Sequence, residues 1–182
     1  MPRPSDARSR FIDTAAVLFR QRGYHGVGLS EIIEAAQAPK GSFYHHFPGG
    51  KEELAGEAVR RAGRAIGRTL DQVFEQAPSF EAGALTLATM IAGWFEGSDW
   101  SAGCPVTTVL LDTTPASPAL SVATREVFED WITKVAGHAE RLSAAGDPRE
   151  RAIKLLVGLE GAWIVARTLR SAEPFRLAAA MA

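Results

Sequence analysis

Apolar residues recur at three- and four-residue intervals over nearly the whole chain, so nearly everything reads as helix. The first stripe is Phe11, Ile12, Ala15, Ala16, Leu18 and Phe19, with Ser5 as the expected N-cap and Gly23 as the expected stop after Arg20-Gln21-Arg22. A short second stripe, Leu29, Ile32, Ile33 and Ala36, follows Gly28 as N-cap, with Glu31 near the positive helix end. Pro39 is expected at the first position of a third helix, in which Phe43 and Phe47, four apart, share the inward face. From about Lys51 to Gln76, Leu54, Ala58, Ala62, Ala65, Ile66, Leu70, Val73 and Phe74 predict a connector helix roughly 40 Å long.

Further helices are predicted through Leu85–Phe95, from about Cys104 to Leu111, and along a long stripe from Leu120 to Leu142. Residues 97–103 read as a loop and Gly146-Asp147-Pro148 as a break. The last long helix, about 149–170, is apolar all round, and Gly158, Gly161, Ala162 and Ala166 would let a neighbour come close. One of its sides is assigned to the subunit core and the other to a second copy. Glu160 needs a partner there if buried, with Arg167 or Lys154 in reach.

The chain has 182 residues, 46% of them apolar, which suits one large globular domain or two small ones. No apolar run is long enough for a membrane helix, and Met1-Pro2-Arg3-Pro4-Ser5-Asp6 lacks the pattern of a secretory signal. The single cysteine, Cys104, rules out a disulfide framework and points to a reducing cytoplasm. Net charge is −1, but residues 1–68 carry 11 Lys and Arg against 7 Asp and Glu, while the remainder is acidic. A basic N-terminal third suits a phosphate-facing end.

Three short helices with groove-compatible groups on the third read as a helix-turn-helix. With Phe43 and Phe47 turned inward, Tyr44 and His45 face outward, where hydroxyl and ring N–H groups reach phosphates. Lys40 opens that helix, Gly41 and Ser42 are small enough for close approach, and Lys51 with the N–H groups after Gly50 forms an anion site at a helix N-terminus. Spacing alone also fits an ordinary polar helix surface.

The order and types of residues in Lys40-Gly41-Ser42-Phe43-Tyr44-His45-His46-Phe47, followed by Lys51-Glu52-Glu53-Leu54, resemble the DNA-binding domain of the TetR family of transcriptional regulators over residues 5 to about 55. Ala38-Pro39-Lys40-Gly41-Ser42, Phe47-Pro48-Gly49-Gly50-Lys51 and Gly103-Cys104-Pro105-Val106 are most similar to its LmrA/YxaF-like branch. The resemblance implies an all-α protein: an N-terminal helix-turn-helix domain (1–50) and a C-terminal effector-binding and dimerisation domain (51–182). It implies a regulator, usually a repressor, that acts on double-stranded operator DNA, with a homodimer through the last two long helices and no enzymatic activity, cofactor or membrane partner. Lys40, Gly41, Ser42, Tyr44, His45 and Lys51 would face DNA, with Gly28 and Leu29 near its backbone. The family usually has glycine where Gln37 stands; if that turn needs φ > 0, glutamine is strained by about 1 kcal/mol, or Gln37 reaches DNA itself.

An unidentified small apolar or aromatic effector is expected among Met90, Trp94, Trp100, Cys104, Thr108, Phe128, Trp131 and Trp163, because pockets of this kind are apolar and aromatic. The same rings also fit plain core or dimer packing. No His-x-x-x-His or Cys-x-x-Cys pair is present, so no metal is expected, and Glu160 or His138 beside an aromatic pocket has no paired acid–base partner to support catalysis.

Overall fold

A computed structural model of the protein describes residues 4–181, with side chains from Ala7 onward. Nine helices and no strand are found among the described residues: α1 (Pro4–Arg22), α2 (Leu29–Ala35), α3 (Lys40–His46), α4 (Gly50–Glu75), α5 (Phe80–Gly97), α6 (Pro105–Thr113), α7 (Pro118–Arg141), α8 (Pro148–Leu169) and α9 (Glu173–Ala180). None of them is long and apolar enough to cross a membrane.

Two expected helix starts move. Ser5 lies inside α1, which opens on Pro4, a residue suited to a first turn because the missing N–H has no intrahelical partner there. Pro39 is extended (φ −60°, ψ 134°) and caps α3 instead of beginning it. Gly28 caps α2, and Gly23, at φ 75°, ends α1 with its N–H on the Phe19 carbonyl. Ser79 and Asp147 cap α5 and α8 by accepting from Ala82 N and Glu150 N. Helix α9 was not foreseen: Pro174 in its first turn and inward-facing Phe175, Ala178 and Ala179 carry its pattern.

The chain forms two compact units. The first runs to Arg64 and adds Pro105–Val127; the second is Ala65–Cys104 with Phe128–Ala182. Helices α4 and α7 each pass from one unit to the other. The expected division after residue 50 does not coincide with this boundary: the first unit also takes in the start of α4, all of α6 and α7 as far as Val127.

In the first unit, α1 packs against α2, α3 and α6. Phe11, Phe43 and Phe47 are fully buried, with ring centroids 5.3–6.2 Å apart and Phe11 edge-on to both others. Such edge contacts add to the area buried. Gly63 lets α4 approach α7, since a Cβ there would lie 2.6 Å from the Val127 methyls.

In the second unit, α9 packs against α5 and α8. Phe74 and Phe80 stack at 5.2 Å, and Gly83 is required beside them, because a Cβ would come within 2.5 Å of the Phe74 ring. Asp71 of α4 accepts from Lys134 at 2.7 Å and pairs with His138 Nε2 at 3.1 Å, tying α4 to α7. Lys154 pairs with Glu150, while Arg167 donates to the Ser101 carbonyl.

Candidate nucleic-acid interface

Helix α3 is too short to hold itself in water, so tertiary anchoring decides its orientation. Phe43 and Phe47 supply that anchor. Truncating either ring to alanine would cost about 3–5 kcal/mol. With these two inward, Lys40, Gly41, Tyr44 and His45 are exposed, Tyr44 at 51%, and Ser42 is half-buried. Beyond the glycine's own chain neighbours and helix backbone, no atom of the described residues lies within 4 Å of a Cβ built on Gly41 or Gly28. The protein's own packing therefore leaves both glycines open, and the room they make lies outside the fold. Leu29 begins α2 half-buried.

Gln37 sits in the turn between α2 and α3 at φ 48°, the left-handed region that favours glycine. Its carbonyl accepts from Arg10 Nη1 of α1 at 3.0 Å, so a long-range hydrogen bond helps hold the strained turn. Its side chain is exposed. Nothing in the local sequence announces Arg10 in this role.

Lys51 is placed differently from the expectation. Its Nζ does not point outward at the start of α4. It donates to the Tyr24 carbonyl at 2.7 Å and lies over the Tyr24 ring at 4.2 Å. Burial lowers its pKa, against an upward pull from the Asp112 carboxylate. Burial likewise raises the Tyr24 pKa, helped by the charge of Glu52. Just ahead of the expected anion site, Gly49 N donates to Glu53 Oε2 at 2.8 Å and Gly50 N to the Phe47 carbonyl. A glutamate in the first turn competes for the N–H groups that a phosphate would use.

The eight effector candidates do not form one cluster. Trp100 and Trp163 both pack edge-on to Phe95, at 5.5 and 6.3 Å, and Trp163 also meets Phe175 of α9 at 5.6 Å. The Trp163 indole N–H is buried without a hydrogen-bond partner among the described residues. Phe128 and Trp131 form a separate pair at 5.1 Å. Cys104 is buried, Met90 half-buried, and Trp94 is 49% exposed on α5. Thr108 belongs to α6, in the first unit. None of the eight lines either of two open clefts: one of about 570 Å3 between α4 and the start of α7, and one of about 460 Å3 between α8 and α9. The second cleft belongs to an exposed apolar face that includes Val157, Ile164, Val165, Leu169, Leu177 and Met181. That face is shared by α8 and the unforeseen α9.

The sequence profile of the bacterial regulatory proteins of the tetR family matches residues 11–58, and that of the LmrA/YxaF-like transcriptional regulator C-terminal domain matches residues 56–181. The chain is 32% identical over 178 residues to the HTH-type transcriptional regulator YxaF of Bacillus subtilis, covering 96% of this chain and 92% of that protein. It is 30% identical to LmrA of the same organism, covering 93% and 90%. Among solved structures, the reduced form of Escherichia coli NemR superposes with a TM-score of 0.86 at 26% identity, covering 96% of this chain and 94% of that one.

Proposed function

The chain belongs to the TetR family of bacterial transcriptional regulators, in its LmrA/YxaF-like branch, and from that premise we propose that it is an effector-released repressor that reads operator DNA as a homodimer. Proteins of this family are regulators and not enzymes. The observation that carries the reading is the division of α3 into a buried aromatic edge and an open edge of Lys40, Gly41, Tyr44 and His45. That edge offers an ammonium, a phenol and an imidazole beside a glycine that lets a duplex approach. Gly28, Leu29, Ser42 and Gln37 flank it.

Relatives support repression as the sense of regulation: NemR of Escherichia coli, 50% identical over 42 residues, is a transcriptional repressor. A second copy would cover the apolar face of α8 and α9, because exposed apolar patches of that kind are interaction surfaces. Two-fold symmetry then asks for a roughly palindromic operator, with half-sites about one helical turn, 34–36 Å, apart if the simple helix-turn-helix geometry holds. The effector is assigned to the second unit, with Trp100 and Trp163 as the first residues to test and Met90, Trp94, Cys104, Phe128 and Trp131 as the remaining candidates there; Thr108, on α6, stays a candidate from the first unit. Release follows when the effector binds more tightly to the state with respaced recognition helices. The protein would act in the cytoplasm, where its DNA lies.

The test is binding to DNA from immediately upstream of its own gene at two salt concentrations, with mass by light scattering. Selective, salt-sensitive binding by a dimer, abolished in Lys40→Ala/Tyr44→Ala, supports the reading. Equal, weak binding to that DNA and to unrelated DNA counts against it.

A further inference from the structure

The last turn of α6 carries Asp112, where a carboxylate faces the negative end of the helix. A residue that breaks a local rule invites a search for what it gains elsewhere. Asp112 meets the turn between α1 and α2. Its Oδ2 accepts from the His25 backbone N–H at 3.2 Å, and its backbone carbonyl pairs with His25 Nε2 at 3.0 Å. Two residues earlier stands Gly23, at φ 75°, and a Cβ built there would overlap the same carboxylate. Between them, the Tyr24 carbonyl accepts from Lys51 of α4, whose Nζ also lies over the Tyr24 ring. The turn is thus bonded to both α6 and α4, and glycine is needed at 23 both for its backbone angle and for the space Asp112 occupies.

We infer that Asp112 is a positioning residue of the DNA-reading unit: through His25 and Gly23 it holds the α1–α2 turn in the shape from which α2 and α3 meet the groove. The turn feeds directly into Gly28 and α2, so a shift of α6 is felt at the start of the helix-turn-helix. The consequence for DNA rests on the operator-reading function proposed above; the hold on the turn does not.

Two substitutions separate this from simple electrostatics. Asp112→Ala and Asp112→Asn both remove a negative charge from a unit that must approach phosphate, so charge alone predicts tighter DNA binding by both. Only asparagine keeps an acceptor for His25 N–H. Full-length protein and labelled DNA from upstream of its own gene are the materials, with thermal unfolding as a control. The expected result is a loss of about tenfold in DNA affinity for Asp112→Ala, near-wild-type affinity for Asp112→Asn, and an unchanged salt slope, since Asp112 touches no phosphate. Amide hydrogen exchange of the free protein over residues 22–28 is expected to accelerate in Asp112→Ala and not in Asp112→Asn. Unchanged exchange in Asp112→Ala overturns the inference, as does equal or tighter DNA binding by that variant, or an equal loss in both. If wild type does not bind the DNA while the exchange pattern appears, the hold on the turn stands and the operator reading fails.

Discussion

The ammonium of Lys51 donates to the Tyr24 carbonyl at 2.7 Å and lies 4.2 Å from the centre of the same residue's ring. A lysine that the sequence places at a phosphate-binding helix start instead fastens α4 to the α1–α2 turn. Lys51→Met keeps the apolar stem and removes both contacts. The expected cost is about 1–2 kcal/mol in urea unfolding, the range of a charge-assisted hydrogen bond with a cation–π contribution. A phosphate-contacting lysine would instead lower the salt slope of DNA binding by about 1 when lost. An unchanged slope with lowered stability supports the inward role; the reverse pattern restores the phosphate role.

Gly41 offers a test in which stability and binding move in opposite directions. It lies inside α3, where glycine is about 1 kcal/mol worse than a good helix former. A Cβ there meets nothing. Gly41→Leu is expected to leave unfolding stability unchanged or raise it by about 0.5–1 kcal/mol, while operator affinity falls at least about tenfold because the new side chain stands between α3 and the groove floor. Operator affinity equal to wild type would mean that this edge does not face DNA.

The Asp71 cluster sets a pH dependence whose sign can be worked out. Burial pushes the Asp71 pKa up, but hydrogen bonds and charge from Lys134 and His138 together outweigh it and hold the carboxyl below its usual value. The hydrogen bond to Asp71 raises the Lys134 pKa, against a downward push from burial. A depressed folded pKa on an acid means stability present above the unfolded value, near 3.8, and lost as pH falls through the folded one. Asp71→Asn is expected to cost about 1 kcal/mol at neutral pH, and the difference from wild type should shrink as pH drops below about 4. Unfolding curves measured from neutral pH downward check this. A difference that stays constant into acid would remove the carboxylate from the account.

What could be read in the sequence, and what could not, divides along local and long-range physics. Phe43 and Phe47, four apart, determine which edge of α3 is open, and that follows from helical period alone; the family profiles bear out the resemblance carried by the same stretch. The left-handed angle at Gln37 was raised by the resemblance, whose usual glycine at that place suggests φ > 0, and not by the local residues alone. Lys51, Arg10 and Asp112 were not legible in these roles. Their partners lie 27, 27 and 87 positions away, and no periodicity encodes a docking contact at that separation. Helix α9 escaped because a short helix after an all-round apolar one adds little pattern of its own; its inward Phe175 becomes meaningful only beside Phe95 and Trp163. For the same reason tryptophan content gave a list of effector candidates and not a pocket.

Gln37 remains the position where fold and function pull apart most directly. At φ 48° a non-glycine residue carries strain of about 1 kcal/mol, held in part by the Arg10 hydrogen bond to its carbonyl. Gln37→Gly removes that strain and keeps the carbonyl, so unfolding stability is expected to rise by about 0.5–1 kcal/mol, less than the full strain because glycine also loosens the unfolded chain. If the amide side chain of Gln37 reaches DNA, the same substitution weakens operator binding by about fivefold to tenfold despite the gain in stability, roughly the net strength of one hydrogen bond. A variant that is both more stable and binds operator as well as wild type would leave Gln37 without a DNA contact. A variant that is less stable would mean that the glutamine side chain stabilises the turn by more than its backbone strain costs.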